Sequence, residues 1–257
     1  MNRILFSAEE VGPGGLVVLG DARARHIRHV LRAKPGDILK TGVINGKVGT
    51  SRVERVTEAL VHLTAVHEGA APEPWMDLIL AAPRPKVMKR LWAPLASLGV
   101  GTIIVLNAFK VERAYFSSHW LEPEHYTPLL IDGLMQAGVS RLPEVHIKPR
   151  FKPFLQDDLD AMFPGSARLL AHPGEEASAP MRGRLSGWER PVLAVGPEGG
   201  WSGYELQMFA EKNFEPFSLG GRTLCTTTAT IALIAALMAQ GLFMPLTPHH
   251  AGLLPLC

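Results

Sequence analysis

Beyond residue 75, short continuous apolar runs alternate with longer segments of helical periodicity. The runs are Leu78 to Ala82, Ile103 to Leu106, Val145 to Ile147, Leu169 to His172, Val192 to Val195 and Phe217 to Leu219. Helical segments fall at Lys86 to Ser97, Glu122 to Gln136, Pro153 to Met162, Gly203 to Lys212 and Thr227 to Gln240. Strands alternating with helices predict an α/β fold with a parallel sheet covered on both faces. Pattern alone then proposes an unknotted, Rossmann-like connection, because threaded chains are nearly absent from proteins. Residues 1 to 70 read differently, as short β segments with turns at Gly12 to Gly15, Lys34 to Asp37 and Asn45-Gly46, and one helix at Ala22 to Leu31. Asn-Gly between Thr41-Gly42-Val43-Ile44 and Lys47-Val48-Gly49 is a hairpin signal. The stretch Gly69 to Pro74 lacks periodicity and carries two prolines, which marks a linker. The expected domains are therefore 1–70 and 75–257.

Two glycine-punctuated loops, each between a strand and a helix, stand out. Gly196-Pro197-Glu198-Gly199-Gly200 follows Val192 to Val195 and exits through Trp201 into Ser202-Gly203-Tyr204-Glu205. Ser202 and Glu205 have the spacing of a capping box, with Trp201 placed to pack on Leu206 as a staple. Asn213 suits the left-handed residue that ends such a helix. The second loop follows Pro216 to Leu219 and runs through Gly220, Gly221 and Arg222 to Thr228. Glycines let a ligand approach the backbone closely, and open α/β sheets bind ligands at the carboxyl ends of their strands. Neither loop has the spacing of a dinucleotide or Walker motif, so turn chemistry leaves open two ordinary turns or one cradle.

Composition narrows the class. The chain has 257 residues, 47% of them hydrophobic, enough to bury a sizeable core. Its net charge is only +2, so any nucleic-acid footprint must come from local clustering. Such clusters occur at Arg23, Arg25, Arg28, Arg32 and Lys34, and at Arg84, Lys86, Lys89 and Arg90. Two cysteines, Cys225 and Cys257, make neither a disulfide framework nor a zinc pattern and suit a reducing cytoplasm. The apolar start Met1 to Phe6 is too short for a signal peptide. Ala229 to Leu246 approaches membrane-spanning length, but Thr230, Gln240, Gly241 and Pro245 interrupt it, which reads as a helix buried in a core or subunit interface rather than in a membrane.

The loop pair, Gly196 to Gly200 and Leu219 to Ala229, resembles the cofactor loops of the RsmE family of ribosomal RNA methyltransferases, within the SPOUT superfamily. Further matches lie at His26 to Arg32 with Pro35-Gly36-Asp37, at Leu98-Gly99-Val100, and at Gln136 to Val145. The resemblance implies a parallel-sheet SPOUT domain with a C-terminal trefoil knot, preceded by a small PUA-like β-barrel domain. It also implies a homodimer, and methyl transfer from S-adenosylmethionine to N3 of a uridine in 16S ribosomal RNA, as naked RNA or in the small subunit. By motif position, Gly196, Pro197, Gly199, Gly200, Leu219, Gly220, Leu224, Thr226 and Ala229 form the cofactor cradle, with His172 and Pro173 covering another side. Glu198 is either an acceptor for the N3 proton or an organiser of its own loop. Arg222 either neutralises charge on the acceptor or makes a surface ion pair.

The same resemblance assigns Arg25, His26, Arg28, His29 and Arg32 to the RNA phosphates. By position in the motif, Gln136 and Arg141 are contacts to RNA or cofactor, or else helix-end structural residues. No third ligand accompanies His26 and His29, so no metal is expected. Cys225 reads as a small neutral filler, since this transfer needs no nucleophile. The chain also departs from the family. Where the second loop commonly reads Arg-Thr-Glu-Thr-Ala, it has Cys225 and Thr227 in place of Arg and Glu. Where a helix commonly reads Glu-Gln-x-Gly-Arg, it has Met135 and Val139. Two acids and two bases are lost together, as expected if paired charges were removed jointly. Two further readings therefore stand beside the first: methylation of another RNA position, and a catalytically weak RNA-binding or ribosome-assembly protein.

Overall fold

The computed structural model describes residues 2–173 and 190–239. Residues up to Glu73 form one compact unit together with Leu130–Leu142, and Pro74–Leu129 forms another with the chain from Pro143 onward. The expected extension of the last helix through Gln240 to Leu246, and Cys257, lie outside the described residues.

The first unit contains β1 (Ile4–Phe6), β2 (Leu16–Leu19), α1 (Ala22–His29), β3 (Ile38–Val43), β4 (Val48–Val56) and β5 (Val61–Gly69). Its sheet runs β1-β3-β4-β5-β2. The Asn-Gly hairpin joins β3 to β4, with Asn45 at φ +58°, a conformation asparagine tolerates better than most residues. Alternating side chains of the strands and the Ala24 and Ile27 face of α1 enclose a core containing Phe6, Val17, Leu19, Val53 and Leu63. Asp21 caps α1 by accepting from the Arg23 N–H. The helix stops at His29, two residues short of the expected Leu31, because Leu31 N–H turns back to the His26 carbonyl and Arg32 adopts φ +51°. Arg3 binds residues 130–142 into this unit, donating to the carbonyls of Gly138, Thr41 and Gly49.

The second unit contains β6 (Met76–Ala81), α2 (Pro85–Ser97), β7 (Val100–Leu106), the first half of α3 (Pro123–Ala137), β8 (Glu144–Lys148), α4 (Phe151–Pro153), α5 (Leu159–Met162), β9 (Arg168–Ala171), β10 (Val192–Val195), α6 (Gly203–Glu211), β11 (Glu215–Phe217) and α7 (Thr226–Ala239). Its strands run β11-β9-β10-β6-β7-β8 and every pair is parallel. The continuous apolar runs are explained by burial: β6, β7 and β10 are buried at every residue. The expected helix Pro153 to Met162 is broken by a π-helical turn at Phe154–Asp158. The last strand ends at Phe217 rather than Leu219, since Ser218 Oγ accepts from the Gly220 N–H and turns the chain. Because the sheet is parallel, all its carboxyl ends lie along one edge. Among the described residues no helix is long and apolar enough to cross a membrane.

Arg23 donates to Glu10, to Asp21 and to the Leu5 carbonyl. Its hydrogen bond holds Glu10 below the ordinary 4.5. At Asp21 burial is the largest single influence and acts upward, but the side-chain and backbone hydrogen bonds and the charge of Arg23, with the Ala24 N–H, together keep it below 3.8. Carboxylates lowered by folding contribute stability above their unfolded pKa and lose it as pH falls through the folded value. Denaturant titrations across the acid range are therefore expected to show Arg23→Ala less stable at neutral pH, with the difference from the parent shrinking as pH drops below about 4.

Candidate active site

At the carboxyl edge of the second sheet, the loops after β9, β10 and β11 enclose a cleft of about 330 Å³. The loop after β10 turns through Gly200 N–H donating to the Pro197 carbonyl at 2.8 Å, with Gly200 at φ +70°. In the loop after β11, Gly220 stands at φ +95°. Both are conformations that glycine adopts without strain. A Cβ at Gly196 would lie 3.0 Å from the Trp201 indole nitrogen, so the strand end and the ring need that space. Trp201 stacks edge-on against Phe209 at 4.9 Å and meets Phe151 at 6.2 Å. Its buried Nε1 has no hydrogen-bond partner among the described residues.

The capping box at α6 is present: Ser202 Oγ accepts from the Glu205 N–H and the Glu205 carboxylate accepts from the Ser202 N–H at 2.7 Å. Glu205 is 2% exposed, and its other oxygen accepts from the Phe109 N–H at 2.7 Å. That second bond reaches the loop after β7 and is invisible in sequence. The next residue, Lys110, donates from Nζ to the Gly199 carbonyl at 2.6 Å. A Cβ at Gly199 would fall 2.7 Å from Lys110 Cδ, so a side chain there would displace the lysine that holds this loop. Asn213 takes φ +60° beyond the end of α6.

His172, Pro173, Gly196, Pro197, Glu198, Gly199, Gly200, Leu219, Gly220, Arg222, Leu224, Thr226 and Ala229 all line this cleft. Glu198 and Arg222 are exposed at it, and neither side chain bonds another described residue. Glu205 and Lys110 make the hydrogen bonds that tie the first loop to its neighbours. Cys225 is exposed, with Sγ 3.2 Å from Thr228 Oγ1, whose hydrogen bond lowers the thiol pKa.

The residues singled out for RNA divide. Arg25, His29 and Arg32 are exposed. Arg28 folds back to the carbonyls of Glu58 and Ala24. His26 has its Nε2 buried with no partner among the described residues, and burial lowers its pKa, which disfavours the charged imidazolium that phosphate would need. Arg23, counted in the basic cluster by sequence, is tied up with Glu10 and Asp21 and is not available either. Arg141 pairs with Glu73 at 2.6 Å and donates to the Asn45 carbonyl, while Gln136 is exposed and its carbonyl accepts from Asn2. Both belong to the first unit and neither lines the cleft.

Residues 71–238 match the model of an RNA methyltransferase domain family. The chain is 31% identical over 250 residues to the ribosomal RNA small subunit methyltransferase E of Treponema pallidum, covering 93% of this chain and 91% of that protein. It is 29% identical to ribosomal RNA small subunit methyltransferase E 1 of Borreliella burgdorferi, over 90% of this chain and 95% of that one. Among solved structures, a ribosomal RNA small subunit methyltransferase E from Neisseria gonorrhoeae bound to S-adenosyl methionine superposes with a TM-score of 0.72 at 24% identity, covering 93% of this chain and 97% of that one.

Replacing Glu205 with alanine removes the acceptor for two backbone N–H groups, those of Ser202 and Phe109. Each unsatisfied buried donor costs about 1–3 kcal/mol. The Glu205→Ala protein is expected to unfold at least about 2 kcal/mol more easily in urea, whereas Gln207→Ala, on the exposed face of the same helix, is expected to stay within about 0.5 kcal/mol of the parent.

Proposed function

The chain belongs to the ribosomal RNA small subunit methyltransferase E family, and from that premise we propose that it transfers a methyl group from S-adenosylmethionine to N3 of a uridine in 16S ribosomal RNA. The observation that carries this reading is the single cleft lined by both glycine loops. Its volume of about 330 Å³ lies in the range of small-molecule sites. Its walls suit an amphipathic cofactor. Phe217, Leu219, Leu224 and Leu233 supply apolar surface, the glycine turns bring backbone to the edge of the cleft, and Trp201 Nε1 is a buried donor without an acceptor among the described residues. Gly196, Pro197, Gly199, Gly200, Leu219, Gly220, Leu224, Thr226 and Ala229 hold the cofactor, and His172 closes one side.

When bound, S-adenosylmethionine supplies an electrophilic methyl group on its own leaving group. The chain's part is to align N3 of the acceptor with that methyl and to take away the proton. Glu198 accepts the N3 proton as the N–CH₃ bond forms, a role favoured by its exposed carboxylate at the cleft, free of other described side chains. Arg222 sits on the opposite loop and stabilises negative charge on a uracil carbonyl or adjoining phosphate.

The remaining expectations enter on the same footing. The second unit carries the trefoil knot of the superfamily, and the first unit is its PUA-like domain, meeting RNA phosphates with Arg25, His29 and Arg32. The protein works as a homodimer in the cytoplasm. Dimerisation draws support from α7, whose inward residues Leu233, Ile234 and Leu237 are buried while Ile231, Ala232, Ala235 and Met238 keep apolar surface accessible, as in helices that pack on more than one side. A second reading, transfer to another RNA position, is favoured by Cys225 and Thr227, which leave the rim of the second loop without the family's charges.

Isothermal titration is expected to detect S-adenosylmethionine binding, and no binding at millimolar cofactor would overturn the reading. Incubation with labelled cofactor and unmodified small subunits is expected to place label in N3-methyluridine. Label in another nucleoside selects the second reading, and RNA binding without label selects a non-catalytic assembly role. Glu198→Gln is expected to lower kcat by about 10²-fold or more with the cofactor Kd changed less than about two-fold. An equal loss of cofactor affinity would assign Glu198 to loop structure.

A further inference from the structure

Phe109 is 82% exposed, the most exposed large hydrophobic side chain among the described residues. Nothing in packing accounts for it, yet its backbone sits in a hydrogen-bonded turn: its N–H donates to the buried Glu205 and Val111 N–H donates to the Ala108 carbonyl at 3.0 Å, while the side chain of the following Lys110 donates from Nζ to the Gly199 carbonyl at 2.6 Å. A mobile loop tip would carry an exposed phenylalanine incidentally. This one is presented in a fixed place next to the loop that lines the cleft.

The neighbouring strand end adds charge. Arg150 and Lys152 follow β8 and are exposed, with no ion pair among the described residues, whereas Lys148 is neutralised by Asp158 at 2.9 Å. Between the two cations lies Phe151, whose ring packs on Trp201 and on Phe209 at 5.4 Å. Trp201 also backs Gly196. Two independent tethers, Lys110 on Gly199 and Phe151 on Trp201, thus bring an exposed aromatic ring and two unpaired cations beside the same glycine loop. Exposed aromatics with adjacent cations recognise single-stranded nucleic acid, the ring stacking on a base and the cations meeting phosphates.

We propose that the rim formed by the loops after β7 and β8 is the platform for the acceptor strand: Phe109 stacks on a nucleobase next to the nucleotide in the cleft, and Arg150 and Lys152 bind phosphates of the same single-stranded segment. This rests on the RNA methyltransferase reading and deepens it, because it assigns acceptor binding to the catalytic unit itself, apart from the basic helix α1. Lys110 is a positioning residue that holds the ring and the glycine loop in register.

Binding of fluorescently labelled 16S ribosomal RNA is measured alongside methyl transfer and cofactor titration for the full chain, Phe109→Ala, Phe109→Trp and the double variant Arg150→Ala/Lys152→Ala. Loss of one stacked base is expected to raise the RNA Kd and KM of Phe109→Ala roughly 5- to 150-fold, with the cofactor Kd within about two-fold, and Phe109→Trp is expected to restore most of the loss. The double variant is expected to make the logarithmic salt dependence of RNA binding shallower by about 1.4. Unchanged RNA affinity in Phe109→Ala would overturn the platform, as would a tryptophan variant no better than alanine. So would a smaller oligomer in sedimentation that accounts for the loss, since Phe109 would then be a subunit contact. If the parent binds RNA through Phe109 yet transfers no methyl group, the platform stands and the methyltransferase reading falls.

Discussion

The edge of the second unit that carries the cleft depends on one buried carboxylate. Glu205 accepts from the Ser202 N–H, the Ser202 hydroxyl and the Phe109 N–H, so a residue that starts a helix also joins the loops after β10 and β7. A buried carboxylate is tolerable only when its oxygens are occupied, and here each oxygen has a donor. Backbone direction at both loops is therefore fixed by the requirement to satisfy one side chain. With Lys110 on Gly199, that requirement sets where the glycine turn stands relative to its neighbour.

A cleft shaped by backbone and a rim supplied with charge are separable parts of such a site. Gly196, Gly200 and Gly220 define shape through absent side chains and positive φ, which tolerates little change. Glu198, Arg222, Phe109 and Arg150 project to solvent and are under no packing constraint. The departure at Cys225, which is exposed, falls in the second category, where substitution disturbs no core; Thr227 is half-buried in the first turn of α7. In the proposed function, holding the cofactor and choosing the acceptor can thus diverge at different rates. The buried Met135 differs: an acid there would need a partner, and an apolar residue does not.

In the first unit the same accounting redistributes the basic cluster. Five cations between Arg23 and Lys34 look alike in sequence. Folding commits Arg23 to Glu10 and Asp21 and folds Arg28 back on backbone carbonyls, leaving Arg25, Arg32 and Lys34 exposed. His26 turns its ring nitrogen inward. Whether an arginine meets phosphate depends in part on groups farther along the chain, here Glu10, the Leu5 carbonyl and the Glu58 carbonyl, so local charge density overstates the surface available.

Much of the architecture was legible because its signals are local. Continuous apolar runs separated by helical periodicity specified a parallel sheet, Asn45-Gly46 a hairpin, and Ser202 with Glu205 the start of α6; each depends on residues within a few positions of one another. The glycine loops could be located from sequence, and their family likeness read there, since backbone freedom is a property of the residue itself. What the chain order could not reveal is contact across it: the Phe109 N–H on Glu205, Lys110 on Gly199, Phe151 on Trp201, Arg3 binding residues 130–142, and the single cleft that gathers both loops. These depend on which strand ends become neighbours in the sheet, and strand order is decided by packing of the whole unit rather than by any segment of it.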